Sequence, residues 1–197
     1  LFSNLGVGYF SKTDSVKKVF SYGAMPETYT VYDVVLYNRN AVLMATSEGL
    51  FLYHLKTNTI TLFFKDPNAA HFRTLYAYKG YFLAGTYGGG VYVIHDDIIK
   101  SLPLDKNGYL KFAHCFIPNN NDVWITTNKG MIKSSFKSVL ASFSNRQLKP
   151  NYTYYGKQEG IDILEMNGGC TPCAIKLFDG RISVPGIDGL IQFNPSL

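Results

Sequence analysis

The chain has 197 residues, with 19 basic and 14 acidic side chains giving a formal charge of +5. Its Lys and Arg are scattered with no run longer than two, whereas nucleic-acid binders concentrate them on one element, and no stretch approaches the ~18 apolar residues of a membrane span. The expectation is therefore a protein that neither binds nucleic acid nor inserts into a membrane, and the 15 Tyr and 14 Phe against a single Trp suit strands packed face to face.

Five segments share one phrase: a short apolar run, a polar or Gly-rich turn, a Gly followed by an apolar residue, and an alternating strand pattern. They centre on Gly6, Gly49, Gly90, Gly130 and Gly189, at steps of 43, 41, 40 and 59 residues. A period near 40 made of strands is the signature of propeller blades. The opening stretch 15–22 reads as the fourth strand of a blade that begins upstream. First, inner strands are predicted at 31–37, 71–78, 110–117 and 171–178. Second strands follow at 41–47, 81–87, 122–128 and 180–186, and third strands start at Leu50, Val91, Met131 and Leu190. Fourth strands are predicted at 59–65 and 151–157, with a weaker one between Val91 and Leu110.

The turns between first and second strands carry N-R-N, K-G, N-N-N-D and D-G, which suit tight hairpins. The long last step holds a helix over 136–150, with Phe136, Val139, Leu140 and Phe143 on one face and Pro150 at its end. A loop, QEGIDILEMNGG, then leads into the final blade; loops of that length are more often functional than average. The fold expected is an all-β propeller of about four complete four-stranded blades plus part of another: a blade tail at 1–28 and blades at about 29–66, 67–108, 109–157 and 158–197. Because the chain opens inside a repeat, the expectation is a piece of a larger propeller. A cut between blades leaves an apolar face and strand edges, for which a second copy is one partner.

Cys115, Cys170 and Cys173 are the cysteines, the last two in a C-T-P-C phrase. A zinc site needs two further Cys or His ligands, and no second pair has that spacing, so buried small residues or an incidental disulfide is the reading, with no metal and no cofactor. The four His at 54, 71, 95 and 114 show no H-x-x-x-H spacing, and neither a G-x-S-x-G nor a phosphate-binding loop occurs. A pair of carboxylates distant in sequence remains an open route to glycoside chemistry.

Aligning inner strands by their distance to the repeat Gly places Asp33, Arg73, His114 and Cys173 in one column, facing the propeller axis. In the functional reading Asp33, Arg73 and His114 converge near one end of the channel to hydrogen-bond a sugar or a carboxylate, and Tyr32 or Phe72 stacks on an apolar sugar face. In the alternative Asp33 caps a turn, Arg73 pairs with it across neighbouring blades, and His114 is a satisfied interior histidine. Trp124 reads as core between blades. Glu165 and Asn167 on the long loop are further candidates for facing a ligand.

The phrases LMATSEGLFLY and DVWITTNKGM, with YYGKQEGIDILEMNGG and DGRISVPGIDGLIQFNP at the end of the chain, resemble the two-component-regulator propeller repeat. In that family a strand ending in W-I-G-T runs into a turn and G-L, and the closing blade carries D-G-L, N-G-G and F-N-P phrases in order. Glu159-Gly160-Ile161 stands where D-G-L is usual, and Pro185 where Gly or Thr is. The resemblance implies the periplasmic sensor propeller of a hybrid two-component histidine kinase of the kind common in Bacteroidetes. It also implies an adjacent β-sandwich domain, a dimer partner and, as ligand, a glycan-derived oligosaccharide or other small ligand. A periplasmic location suits a disulfide at the cysteines. Two other classes fit the residues: a propeller scaffold for protein–protein interaction, and a propeller glycan lyase or hydrolase.

Overall fold

The computed structural model describes residues 2–3, 6–10, 16–21, 29–68, 70–168 and 171–196. Strands β1 (Phe2–Ser3), β2 (Gly6–Phe10) and β3 (Val16–Ser21) form one sheet in that order. Four-stranded meanders follow. The first comprises β4 (Val31–Asn38), β5 (Ala41–Thr46), β6 (Leu50–His54) and β7 (Thr59–Phe64). The second comprises β8 (His71–Tyr78), β9 (Tyr81–Tyr87), β10 (Val91–His95) and β11 (Ile98–Ser101). The third comprises β12 (Ala113–Asn119), β13 (Asp122–Thr127), β14 (Gly130–Ser135) and β15 (Tyr152–Tyr155). A last sheet holds β16 (Ile175–Lys176), β17 (Ile182–Gly186) and β18 (Gly189–Phe193).

Every pairing is antiparallel. The first strand of each full meander lies beside the first strand of the next, β4 against β8 and β8 against β12. Meanders that meet through their innermost strands make the β-propeller that the repeat period predicts. Among the described residues three sheets carry four strands and two carry three. The inner strand expected at 110–117 starts only at Ala113, because Tyr109–Lys111 close a 3-10 turn under Asp105. The inner strand expected at 171–178 shortens to β16.

The core lies between sheets. Middle strands are covered on both faces, so β5, β9 and β13 read as unbroken apolar runs, while the outer strand β7 is largely exposed. Leu43, Ala45 and Leu50 of one blade meet Phe72, Leu75, Phe82 and Ile94 of the next. Leu83, Val91 and Val93 meet Phe116, Val123, Ile125 and Ile132, and Trp124 and Met131 meet Ile182 and Val184. Each such side chain contributes roughly 1.5–3 kcal/mol when fully buried, and the term belongs to pairs of neighbouring blades. Trp124 is core as expected, wedged between Tyr155 and Phe193.

One clamp recurs in each full blade. Thr46, Thr86 and Thr127, all fully buried, stand at or next to the ends of the second strands and donate to the carbonyls of Gly49, Gly90 and Gly130 at 2.8, 2.8 and 2.9 Å. Each hydroxyl also accepts an amide from the turn, so a two-to-three-residue excursion is tied back to the strand it leaves. At Gly49 and Gly130 the glycine is required by approach of the fourth strand. At Gly130, with φ +110°, a Cβ would lie 2.4 Å from the Tyr155 carbonyl, and at Gly49 one would lie 2.5 Å from that of Phe64.

Helix α1 (Phe136–Ser144) joins β14 to β15. Ser135 caps its first turn by accepting from the Ser138 amide at 3.1 Å. Phe136, Val139 and Phe143 are buried, with Phe136 stacked 3.8 Å from the Tyr78 ring. It stops before the expected Pro150, because the Asn145 side chain accepts the Gln147 amide and turns the chain. No described helix is long and apolar enough to cross a membrane.

Substitution Gly130→Ala is expected to lower unfolding free energy by about 2 kcal/mol or more, combining the strained φ with the clash at Tyr155. Gly108, at φ +67° with open space around it, is the control; Gly108→Ala should cost about 1 kcal/mol. Urea unfolding of both variants checks the contrast.

Candidate functional site

Each full inner strand carries one extra residue near its start. Pairing with the second strand skips between Val31 and Asp33, between Phe72 and Thr74, and between Ala113 and Cys115. The bulged residues are Tyr32, Arg73 and His114. A bulge bends its strand and re-aims the extra side chain, and here the three belong to neighbouring strands at the same end of the propeller axis.

This register corrects the column expected from the sequence. Asp33 is equivalent to Thr74 and Cys115, and Tyr32 takes the place assigned to Asp33. The cause is a second bulge in β4, between Leu36 and Asn38, which lengthens that hairpin by one residue and shifts any count made from Gly49. Asp33 lies between blades, where its carboxylate accepts the Leu75 amide at 2.8 Å, the Thr74 hydroxyl at 3.4 Å and the Val34 amide at 2.8 Å. Burial raises its pKa, and these donors pull against that. Phe72 is fully buried against Phe64 and Tyr92 and offers no ring face to a ligand.

Arg73 does not pair with Asp33. Its guanidinium lies 4.0 Å above the Tyr32 ring and 5.5 Å from that of Tyr87, within cation–π range. Among the described residues no carboxylate forms an ion pair with it, and its Nε is buried without a partner. Beside it, His114 is 3% exposed. One ring nitrogen, Nε2, meets the Asn128 carboxamide oxygen, while Nδ1 is buried and has no hydrogen-bond partner among the described residues. Burial pushes the imidazole pKa below its ordinary value; Asn128 and Glu165 oppose the shift and the Arg73 charge adds to it. The site thus sets a fixed cation beside a histidine held toward its neutral form.

The long loop completes this end. It is stitched to the blades on either side: Gly130 N to Leu164 O at 2.7 Å, Met166 N to Thr127 O at 3.1 Å, and Asn167 N to Pro185 O at 2.9 Å. Gly168 backs onto the imidazole so closely that a Cβ would lie 2.2 Å from His114 Nδ1. The Thr171 hydroxyl donates to the Tyr32 carbonyl at 3.0 Å across 139 residues, drawing the last inner strand to the start of β4. Cys173 is buried with its thiol 3.2 Å from the His114 carbonyl, Cys115 is buried in the core between blades, and Cys170 lies outside the described residues. The described residues hold no cluster of three or more potential metal ligands.

Tyr32, Arg73 and His114 are therefore brought together, and Asp33 and Phe72 are not. The sequence reading missed Tyr87, Asn128 and Thr171. Tyr87 and Asn128 each follow the repeat threonine directly, as Ser47 does in the preceding blade, so alignment on threonine rather than glycine locates them.

No protein-family model matches the chain, and no curated protein matches it. Solved structures do. One is the extracellular domain of a protein described as a hybrid two-component system of B. thetaiotaomicron, at TM-score 0.65 and 15% identity, covering 86% of this chain and 21% of that one. Another such domain from the same organism aligns at TM-score 0.52 and 16% identity, over 97% of this chain and 31% of that one. The calcium-binding protein regucalcin of Agrobacterium tumefaciens aligns at TM-score 0.57 and 13% identity, over 85% and 58%. The chain is a β-propeller. It spans about a fifth to a third of the length of the two B. thetaiotaomicron extracellular domains, and at these identities the likeness is one of fold.

The lowered His114 pKa carries a stability consequence. A base whose folded pKa is depressed contributes stability that is present above its unfolded value, near 6.5, and lost as pH falls through the folded pKa. The melting temperature of the wild type should therefore fall relative to His114→Gln as pH drops from 7.5 to 5. Parallel thermal melts across that range give the difference.

Proposed function

We propose that this propeller is the ligand-binding part of an extracytoplasmic sensor of the two-component type, and that a glycan-derived oligosaccharide or similar small polar molecule binds at the axial end marked by Arg73. The observation that carries the reading is the guanidinium itself: stacked on Tyr32, beside Tyr87 and His114, and without a carboxylate partner among the described residues. A fixed cation flanked by aromatic faces is matched to a ligand that offers hydroxyl or carboxylate oxygens and an apolar ring face. The fold shared with extracellular domains of proteins described as hybrid two-component systems supports the sensor context. In that context the chain sits outside the cytoplasm, in a periplasm, beside a β-sandwich domain and a dimer partner.

The mechanism follows from where the groups come from. Tyr32, Arg73 and His114 belong to three successive blades, and Thr171 and Glu165 to the approach to a fourth. A ligand touching Tyr32, Arg73 and the loop, in front of the buried His114, favours one relative setting of those blades, and it biases a downstream equilibrium by its difference in affinity for the two settings. The site is read as binding rather than catalytic, because Asp33 is committed to the Leu75 amide and so is not free to partner Glu165 as a glycosidase pair.

The test is calorimetric titration of this chain with a panel of oligosaccharides from partial digestion of neutral and uronic-acid polysaccharides. At least one member is expected to bind. Arg73→Ala should weaken it by roughly tenfold to a hundredfold, as loss of hydrogen bonds to a charged group implies, and Arg39→Ala, in the exposed turn after β4, should leave it unchanged. No binding across the panel, or full affinity in a folded Arg73→Ala variant, overturns the reading.

A further inference from the structure

The segment that covers His114 on one side forms the wall of a separate cleft on the other. This cleft, of about 320 Å³, is lined by Tyr109, Tyr154, Lys157, Gln158, Glu159 and Leu164. Its volume falls at the small end of the roughly 300–1,000 Å³ typical of small-molecule sites, enough for a ring-sized guest and too little for a folded partner.

The aromatic part of the wall is rigid. Tyr109 and Tyr154 stack at 4.0 Å with their planes 15° apart. The Asp105 carboxylate accepts the Tyr109 and Leu110 amides at 3.1 and 3.0 Å, which fixes the loop that carries Tyr109. Tyr154 is pinned from below: its hydroxyl donates to the Lys129 carbonyl, and Gly156 lies so close that a Cβ there would sit 2.3 Å from that hydroxyl oxygen. Lys129 in turn reaches the Asn107 carbonyl at 3.0 Å and ties the two sides together. Opposite, the 3-10 turn Lys157–Glu159 is held by the Glu159 carboxylate accepting the Gly156 amide at 2.7 Å. That turn presents the exposed side chains of Lys157 and Gln158.

We infer that this cleft is a binding site for an uncharged hexopyranose ring, distinct from the axial site at Arg73. The chemistry is that of a sugar subsite. The side of the Tyr109–Tyr154 stack that lines the cleft, with Leu164, supplies the apolar surface against which a pyranose C–H face rests, and Gln158, Lys157 and Glu159 supply donors and acceptors for hydroxyls around its edge. Lys157 and Glu159 balance in charge, which favours a neutral guest over an acidic one. Tyr, with few rotatable bonds, loses little entropy on contact.

The experiment is saturation-transfer NMR and calorimetry on this chain with maltose, cellobiose and lactose as uncharged probes and glucuronic acid as the charged comparison. At least one disaccharide is expected to bind in preference to glucuronic acid. Gln158→Ala and Lys157→Ala should each weaken it by roughly twofold to tenfold, the loss of one hydrogen bond. Tyr109→Leu should abolish binding and Tyr109→Phe keep it, while Arg73→Ala leaves it intact. Gln158 and Lys157 are exposed, so their variants decide the matter even if Tyr109→Leu fails to fold. Absence of binding by all three disaccharides overturns the proposal, as does tighter binding of glucuronic acid. Disaccharide binding that Arg73→Ala removes and Gln158→Ala leaves untouched also overturns it, while leaving the axial reading in place.

Discussion

A single inserted residue near the start of each full inner strand is the constraint on which the candidate axial site depends. In a regular strand, successive side chains alternate between the two blade-to-blade interfaces, and every position is then claimed by packing. The bulges at Tyr32, Arg73 and His114 break that alternation once per blade. Their neighbours Val31, Phe72 and Ala113 on one side stay buried, and so do Thr74 and Cys115 on the other. Each bulge therefore frees one side chain for the axis at the loss of one ladder register, while the apolar contacts that hold adjacent blades are kept. Function and stability are separated by one residue along the same strand.

The separation explains why two neighbouring polar residues have opposite fates. Asp33 sits on the regular side of its bulge and faces the next blade, where two backbone amides and a hydroxyl satisfy it. It behaves as an inter-blade fastener. Arg73, on the bulge itself, faces the aromatic rings of Tyr32 and Tyr87, and nothing among the described residues neutralises it. His114 lies in its field and under Gly168, so both burial and the neighbouring cation disfavour a second positive charge there. Aromatic faces hold the guanidinium in place without cancelling its charge, which leaves its field directed at whatever occupies the axis.

Much of this was legible in the sequence, for a physical reason. The repeat Gly is forced by a carbonyl of the fourth strand at Gly49 and Gly130, so its spacing reports the blade period, and the continuous apolar runs of β5, β9 and β13 report strands covered on both faces. Tyr32, Arg73 and His114 were all among the candidates. Their true equivalence was not legible, because the second bulge in β4 and the longer turn before Gly90 each add a residue, and a count from glycine cannot tell which strand holds the insertion. Phe72 keeps its ladder pairing with Thr86 and packs between blades, which its place beside Arg73 in the sequence does not reveal. The early end of α1 at Ser144 was encoded in Asn145, whose side chain competes for the backbone, rather than in Pro150 further on.

The long loop before the last sheet makes the two ends of this argument one structure. Its first turn, Lys157–Glu159, walls the tyrosine cleft, and its last residues, Glu165 and Gly168, bear on His114. Between them, backbone hydrogen bonds from Gly130 to Leu164 and from Met166 to Thr127 fasten it to the turn of the preceding blade. A displacement at one end of this segment therefore strains those bonds, together with the Asn167–Pro185 bond to the last sheet. Thr127 is the residue that matters in this respect. Its hydroxyl clamps the turn at Gly130, its carbonyl holds Met166, and its chain neighbour Asn128 holds the imidazole. A displacement carried along the segment therefore loads a buried turn that also fixes the blade. A stiff connection of this kind favours two discrete settings over a graded one.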